Sequence, residues 1–341
     1  MENSLTNKIP VEVECAINEN INVIFNGLML SATDEKYLNL WYRYWGLLLI
    51  ILSFIVMLPV IFLSFVFQWA MAIPVFLIII TIICILTGIT ILFLRNKAWT
   101  KLISAFNNLE TLSSFYSYYT NIAYPEVVIS EVKAGLTNLP VKHQSFYNDF
   151  FYKNTFVGKY KDFPFQFGTI IYEHLTTSSD NKGNSYLRRT YYRKLYLIAK
   201  TKATNLITTV NREDLKIIRS LRKNKDCFES AEFASLFKLQ DDDPINLRKL
   251  FTPIVMEKLT TVALDNNKKI PQILINNDEF SFIWDLGPVA SPNSELLCSF
   301  HKVHSLNQIR NVILDNVYYD IEMVIKYLRW LEAFNVNNEK G

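Results

Sequence analysis

The chain has 341 residues, half of them hydrophobic, and a formal net charge of +3 from 35 basic and 32 acidic side chains. Such a length accommodates a membrane element beside a soluble domain with its own core, and so mild a basic bias excludes the charge signature of a dedicated nucleic-acid binder. Four scattered cysteines (Cys15, Cys84, Cys227 and Cys298) show no paired spacing, which argues against a disulfide framework and fits a reducing compartment.

Residues 1–43 form an acidic arm of net charge −3. Within it Val13, Ile17, Ile21, Ile24 and Leu28 recur at helical spacing, so an amphipathic helix is predicted over 11–30, lying on the membrane or on the soluble domain. Its opposite face carries Asn and Glu instead of Lys and Arg, which argues against strong lipid binding.

Residues 44–94 then run for 51 positions without one Lys, Arg, Asp, Glu or His. One helix of that length would reach roughly 75 Å at about 1.5 Å per residue, whereas a bilayer core of about 30 Å is crossed by roughly 20 residues. Two transmembrane helices are therefore predicted, 44–67 and 74–94, with 68–73 as an external turn. Pro74 suits the first turn of a helix, where its missing N–H costs nothing. Trp41, Tyr44, Trp45, Trp69, Arg95, Lys97 and Trp99 are the predicted membrane-interface residues. Lys36 and Arg43 precede the first span, Arg95, Lys97 and Lys101 follow the second, and the turn has no positive charge, so both termini are expected in the cytoplasm. A cleaved signal peptide fits poorly, because the apolar run starts more than 40 residues in, behind an acidic segment. Neither span holds an ionisable residue to mark a proton or ion path. Pro59 is expected to kink the first helix, and Ser53, Ser64, Thr81, Thr87 and Thr90 are expected to hydrogen-bond between helices or to line a pore in an oligomer.

Residues 95–150 read as a helical connector: a continuation over 97–123, ended by Tyr124-Pro125, then a second helix over 126–135 stopped at Gly135. From about 151 the pattern alternates, and 151–341 reads as an α+β domain. Phe165, Phe167, Thr169 and Ile171 share one strand face, and a second strand covers 192–199, with SSDNKGNS (178–185) as a polar hairpin loop. Further strands are expected at 205–210 and 233–239, a hairpin at 272–285 turning at Asn276-Asn277-Asp278, and helices at 213–223 and 244–264. Short turns between neighbouring strands imply a mostly antiparallel sheet. A long C-terminal helix is expected over 305–334, capped by Ser305, with Ile309, Val312, Ile313, Val317, Ile321, Val324, Leu328 and Leu331 on one face for packing on the sheet or for oligomerisation.

Candidate chemistry is sparse. Asp241, Asp242 and Asp243 could ligate Mg²⁺ or Ca²⁺ through oxygen, but Asp243-Pro244 also reads as a helix cap followed by an N1 proline. Cys298, His301 and His304 offer zinc-type ligands without a visible fourth, and His143 and His174 stand apart. No nucleophile elbow, phosphate-binding glycine loop, HExxH or CxxC is present, so neither a catalytic residue nor a cofactor is assigned. The stretch YLRRTYYRKLYLIAK (186–200) mixes basic and aromatic residues that could stack bases; a basic strand at a sheet edge near anionic headgroups accounts for its arginines better.

The segment LFKLQDDDPINLRKLFTPIVMEKL (236–259), in particular Thr252, Pro253, Met256, Glu257 and Leu259, is similar to a motif of the bacterial membrane family known as domain of unknown function 3137. FSFIWD (280–285) and KLYLIAKT (194–201) resemble its core strands, and the two spans sit where that family has them. The resemblance implies a cytoplasmic α+β part behind two membrane helices, and no catalytic residue. The sequence thus describes a membrane-anchored α+β protein, serving as a tethered binding or scaffold module. Its partners would be the bilayer, anionic headgroups, another protein or a second copy of itself. The alternatives are a subunit of an oligomeric pore or transport accessory, and a tethered enzyme.

Overall fold

The computed structural model describes residues 9–27, 38–67, 72–135, 149–161, 163–179, 185–200, 207–212, 230–240, 248–266, 270–291 and 306–334. Its elements in chain order are α1 (Val11–Gly27), α2 (Leu40–Phe67), α3 (Ala72–Phe106), α4 (Leu109–Ala123), β1 (Val127–Ala134), β2 (Asp149–Tyr160), β3 (Phe163–Ser179), β4 (Ser185–Lys200), β5 (Ile207–Arg212), α5 (Ala231–Leu236), β6 (Phe237–Gln240), α6 (Pro253–Asp265), β7 (Gln272–Asn276), β8 (Glu279–Val289) and α7 (Leu306–Glu332). They fall into two compact units, one of residues 1–111 and 300–316, the other of 112–299 and 317–341.

The first unit holds α1, the antiparallel pair α2 and α3, and the first turns of α7. The stripe Val13, Ile17 and Ile21 of α1 is fully buried, as are Leu102 and Phe106 near the end of α3 and Ile313 of α7. Asn22, on the polar face of α1, accepts a 2.7 Å hydrogen bond from Arg310. Helix α2 runs through Pro59 without interruption. It meets α3 where glycine faces glycine: a Cβ on Gly88 would lie 2.8 Å from the Gly46 carbonyl oxygen and 2.8 Å from Ile50 Cγ1. Close backbone approach through small residues is how helices associate where no hydrophobic driving force separates them from their solvent.

The second unit is one eight-stranded sheet of order β1-β2-β3-β4-β8-β7-β5-β6, antiparallel at every pairing. Register places Phe167, Leu197, Phe282 and Ile273 in one row across the centre, flanked by Phe165, Ala199, Phe280 and Ile275. The α7 helix covers this face through its buried stripe of Val317, Ile321, Val324, Leu328 and Leu331. The Tyr327 ring lies 5.6 Å from Phe167 and 4.4 Å from Trp284, and Trp330 lies 6.2 Å from Trp284. The opposite face is buried too, around Ile170, Tyr172, Tyr196, Ile198 and Ile283, with the Tyr172 and Tyr196 hydroxyls bonded to each other. Burial on both sides accounts for the nearly unbroken apolar runs of the central strands.

The structure departs from the sequence reading at several points. Residues 127–134 are strand β1, not a helix: their β-branched residues Val127, Ile129 and Val132 alternate into the core, and Gly135 adopts a φ of +89° just beyond the strand. The connector 95–150 is thus only partly helical. Its first helix breaks at Asn107-Asn108, where the Asn108 side chain accepts from the Glu110 amide at 3.1 Å and caps α4. The strand expected at 233–239 is instead the short helix α5, capped by Ser230, passing into β6 at Phe237. Of the helix expected over 244–264, residues 248–250 are helical, and after a break at 251–252 α6 starts at Pro253, capped by Thr252 with the proline at N1; the start expected at Asp243-Pro244 lies outside the described residues. The 272–285 hairpin forms as read, with Asn277 at a φ of +55° in its turn. The 165–200 hairpin also forms as read. Asp241, Asp242, Asp243, the 213–223 helix, the Ser305 cap and the tip 68–71 lie outside the described residues.

Candidate functional site

Three surfaces stand out. The first is the apolar pair α2 and α3. Two helical stretches, Trp41–Val60 and Val75–Phe106, are long and apolar enough to cross a membrane, with mean hydropathies of 2.0 and 3.0. Over an 18-residue apolar stretch of each, only 11% is buried, whereas a core helix of the same composition would be mostly covered. Leu48, Ile51, Phe54, Ile55, Leu58 and Phe62 on α2 are exposed, as are Phe76, Ile79, Ile83, Leu86, Ile89 and Phe93 on α3. That many contiguous apolar side chains exceed what a water-facing monomer surface carries. Four of the five hydroxyls expected to bond between helices bond within their own helix instead, and the Ser64 side chain lies outside the described residues. Ser53, Thr81, Thr87 and Thr90 each donate to the carbonyl four residues earlier in their own helix, at 2.6–2.8 Å. These four hydroxyls are thus satisfied within their own helices, as a helix in hydrocarbon would require of them.

At the borders of this pair Trp41, Tyr44 and Trp45 are exposed, with the two indoles edge to face at 6.1 Å. Lys97 is exposed as well. Arg95 and Trp99 are buried, the guanidinium 5.7 Å from the indole centroid. At this border the apolar ring therefore meets protein, because α3 continues twelve residues past Leu94 and packs Ala98, Leu102 and Phe106 inward as well. Trp69 lies outside the described residues, as do Cys298, His301, His304 and His143.

The second surface is a β-ribbon. The stretch 186–200 is not at a sheet edge: β4 is fourth of eight strands. Only its inner half is enclosed, however. Pairing of β2 with β3 ends at Asp149–Glu173, and pairing of β8 with β4 ends at Tyr191–Val289. Beyond these rows His174–Ser179 and Ser185–Thr190 pair only with each other among the described residues. This ribbon bears exposed Tyr186, Leu187, Arg188 and Arg189. At its root Arg189 approaches Glu173 at 3.6 Å, and His174 sits half-buried with its ring 6.5 Å from Tyr192.

The third is a seam of tyrosines and carboxylates joining α4 and the β2–β3 turn to α7, which the sequence reading missed. Tyr116 donates to buried Asp320 at 2.5 Å, and Tyr124 donates to Glu322. Lys161 donates to Glu332 at 2.9 Å. Burial, reinforced by the bond to Glu322, pushes the Tyr124 phenol up to about 12. Burial next to Glu332 does the same at Tyr160, also to about 12. Burial would raise the Glu332 carboxyl, but the Lys161 hydrogen bond and charge outweigh it and hold the group below its ordinary value. Every member of the seam has a partner, and its chemistry is structural: phenols that keep their protons tie helix to sheet. Its one sequence signal is the recurrence of tyrosine at 116, 119 and 124 in an otherwise amphipathic helix.

Two open grooves complete the surface. One, of about 410 Å³, lies beside α5 and α6 and is lined by Glu232, Met256, Glu257 and Thr260. The other, of about 450 Å³, lies between α6 and α7 and is lined by Asp265, Glu322, Lys326 and Arg329. Among the described residues no group of three His, Cys, Asp or Glu side chains converges as a metal site. Comparison with protein-family models, with curated proteins and with solved structures gives no match.

Proposed function

We propose that α2 and α3 form a transmembrane hairpin that anchors the α+β unit at the cytoplasmic face of a membrane, where that unit serves as a tethered binding or scaffold module. The carrying observation is that only 11% of an 18-residue apolar stretch in each of the two long helices is buried, with the hydroxyls of Ser53, Thr81, Thr87 and Thr90 satisfied within their own helices. In water such a surface would drive association; in lipid it is matched to its solvent. The cations at the borders and the uncharged run between them support placing both ends in the cytoplasm. The same architecture underlies the resemblance to the family known as domain of unknown function 3137, which we keep as part of the proposal. Extraction tests the anchor: the full chain stays with membranes through an alkaline carbonate wash and needs detergent for release. Protease-accessible tags at both ends are cleaved only after the cytoplasmic face is opened. Recovery in the aqueous fraction, or a tag reached from outside in intact cells, would refute the reading.

A further inference from the structure

We propose that the outer part of the β3–β4 ribbon, His174–Ser179 paired with Ser185–Thr190, is a docking surface for an anionic lipid bilayer. The inference rests on the anchor reading above and adds a second, charge-dependent contact to it. Three observations carry it. These twelve residues include Arg188 and Arg189 and not one carboxylate, and among the described residues the acidic side chain that pairs with them is Glu173 at the ribbon root, which approaches Arg189. Beside them two large side chains of the ribbon are turned out: Tyr186 is 53% exposed and Leu187 57% exposed. Their order along the strand also matters. Tyr186 and Leu187 point to opposite faces, and on each face an arginine follows two residues further from the tip, about 7 Å behind at about 3.4 Å per residue. Each face therefore presents one apolar or amphipathic group and one guanidinium. That is the arrangement of an interfacial element, with a ring or aliphatic chain at the acyl boundary and a cation among phosphates.

A soluble polyanion would use the arginines and leave Leu187 in water, so the exposed leucine favours a bilayer over nucleic acid. Covalent linkage to a membrane anchor raises the effective concentration of lipid at the domain, so a contact too weak to hold a free protein becomes occupied. Each basic residue near a negatively charged leaflet is worth about 1 kcal/mol, or roughly fivefold in partitioning. With Arg189 partly neutralised by Glu173, the pair amounts to roughly tenfold, and the effect is screened at high salt.

The test uses full-length protein in vesicles whose acyl chains carry bromine, a short-range quencher. One fluorophore sits on the natural Cys84 within α3; a second preparation carries it on Thr177→Cys, opposite Leu187, with the natural cysteines replaced. In vesicles containing phosphatidylserine at low salt, the probe at 177 is quenched several-fold more than in neutral vesicles. High salt, or Arg188→Gln with Arg189→Gln, returns it to the neutral level, and Leu187→Ser weakens it at unchanged charge. Equal quenching in neutral and anionic vesicles overturns the proposal. So does a probe that responds to single-stranded RNA in neutral vesicles and not to phosphatidylserine. The probe at Cys84 separates the two readings: quenched in every vesicle, it upholds the anchor whatever the ribbon does; unquenched, it removes the anchor itself.

Discussion

Replacing Ile83 and Leu86 together by arginine sets the two solvents of α3 against each other. These residues lie near the middle of the 74–94 run, three apart and on one helix face, 56% and 58% exposed and clear of the Gly46–Gly88 contact with α2. Residues 75–94 include fifteen Val, Ile, Leu or Phe side chains. At about −0.3 to −0.6 kcal/mol each they favour insertion by about 5–9 kcal/mol, an upper figure because contributions shrink toward the ends. One arginine at the centre costs about 2.5–3.5 kcal/mol and forfeits the residue it replaces, so a single Ile83→Arg still inserts. The pair costs about 7 kcal/mol and cancels the span. The assay is a reporter after residue 341 that is active on one side of the membrane only. It reads cytoplasmic in the parent and in the single variant, and in the double variant it shifts to the outside or the protein is degraded. If α3 were instead a water-exposed helix, the same two arginines would raise solubility and leave the location unchanged. An increase in soluble, intact double variant would refute the lipid argument.

Gly88→Leu, by contrast, attacks packing without changing polarity. Its side chain would have to displace a backbone carbonyl that already lies 2.8 Å from the added Cβ, an overpacking cost of about 1–3 kcal/mol. Cross-linking between cysteines placed on α2 and α3 should fall while membrane retention stays at the parent level. Tyr116→Phe keeps the ring against Phe156, 4.6 Å away, but removes the donor to Asp320. A loss of about 1.5–3 kcal/mol is expected in chemical denaturation, since the acceptor is a buried carboxylate. At alkaline pH the raised phenols set the sign: Tyr124 and Tyr160 keep their protons in the folded state up to about 12, against an ordinary value of 10. Their stabilisation is complete below pH 10 and is lost as pH rises from there through about 12. Tyrosinate absorbance on titration checks this, and a stability flat across that window would count against the seam.

How much of this was legible beforehand depended on the range of the interactions involved. The apolar run, the period of α1 and α7, and the hairpins at 165–200 and 272–285 are local patterns, and each formed where the sequence placed it. Boundaries were less readable, because a cap is decided by one side chain meeting one amide: Asn108 broke a helix that periodicity carried through, and Thr252 starts α6 inside what read as a single helix over 244–264. The stretch 127–134 misled because eight residues between a proline and a glycine fit a helix or a strand equally, and pairing with β2 chose.

By itself, then, the chain marked out two helices long and apolar enough to cross a membrane, since a 51-residue run without charge is more than twice the roughly 20 residues that one crossing needs. What it left open were matters of long-range partnership. That β4 is central and not an edge, that its outer end with Arg188 and Arg189 pairs with β3 alone among the described residues, that Trp99 turns inward, and that Tyr116 finds Asp320 some 204 positions away were settled only by the fold. Such facts are properties of pairs of residues far apart in sequence, and no local pattern contains them.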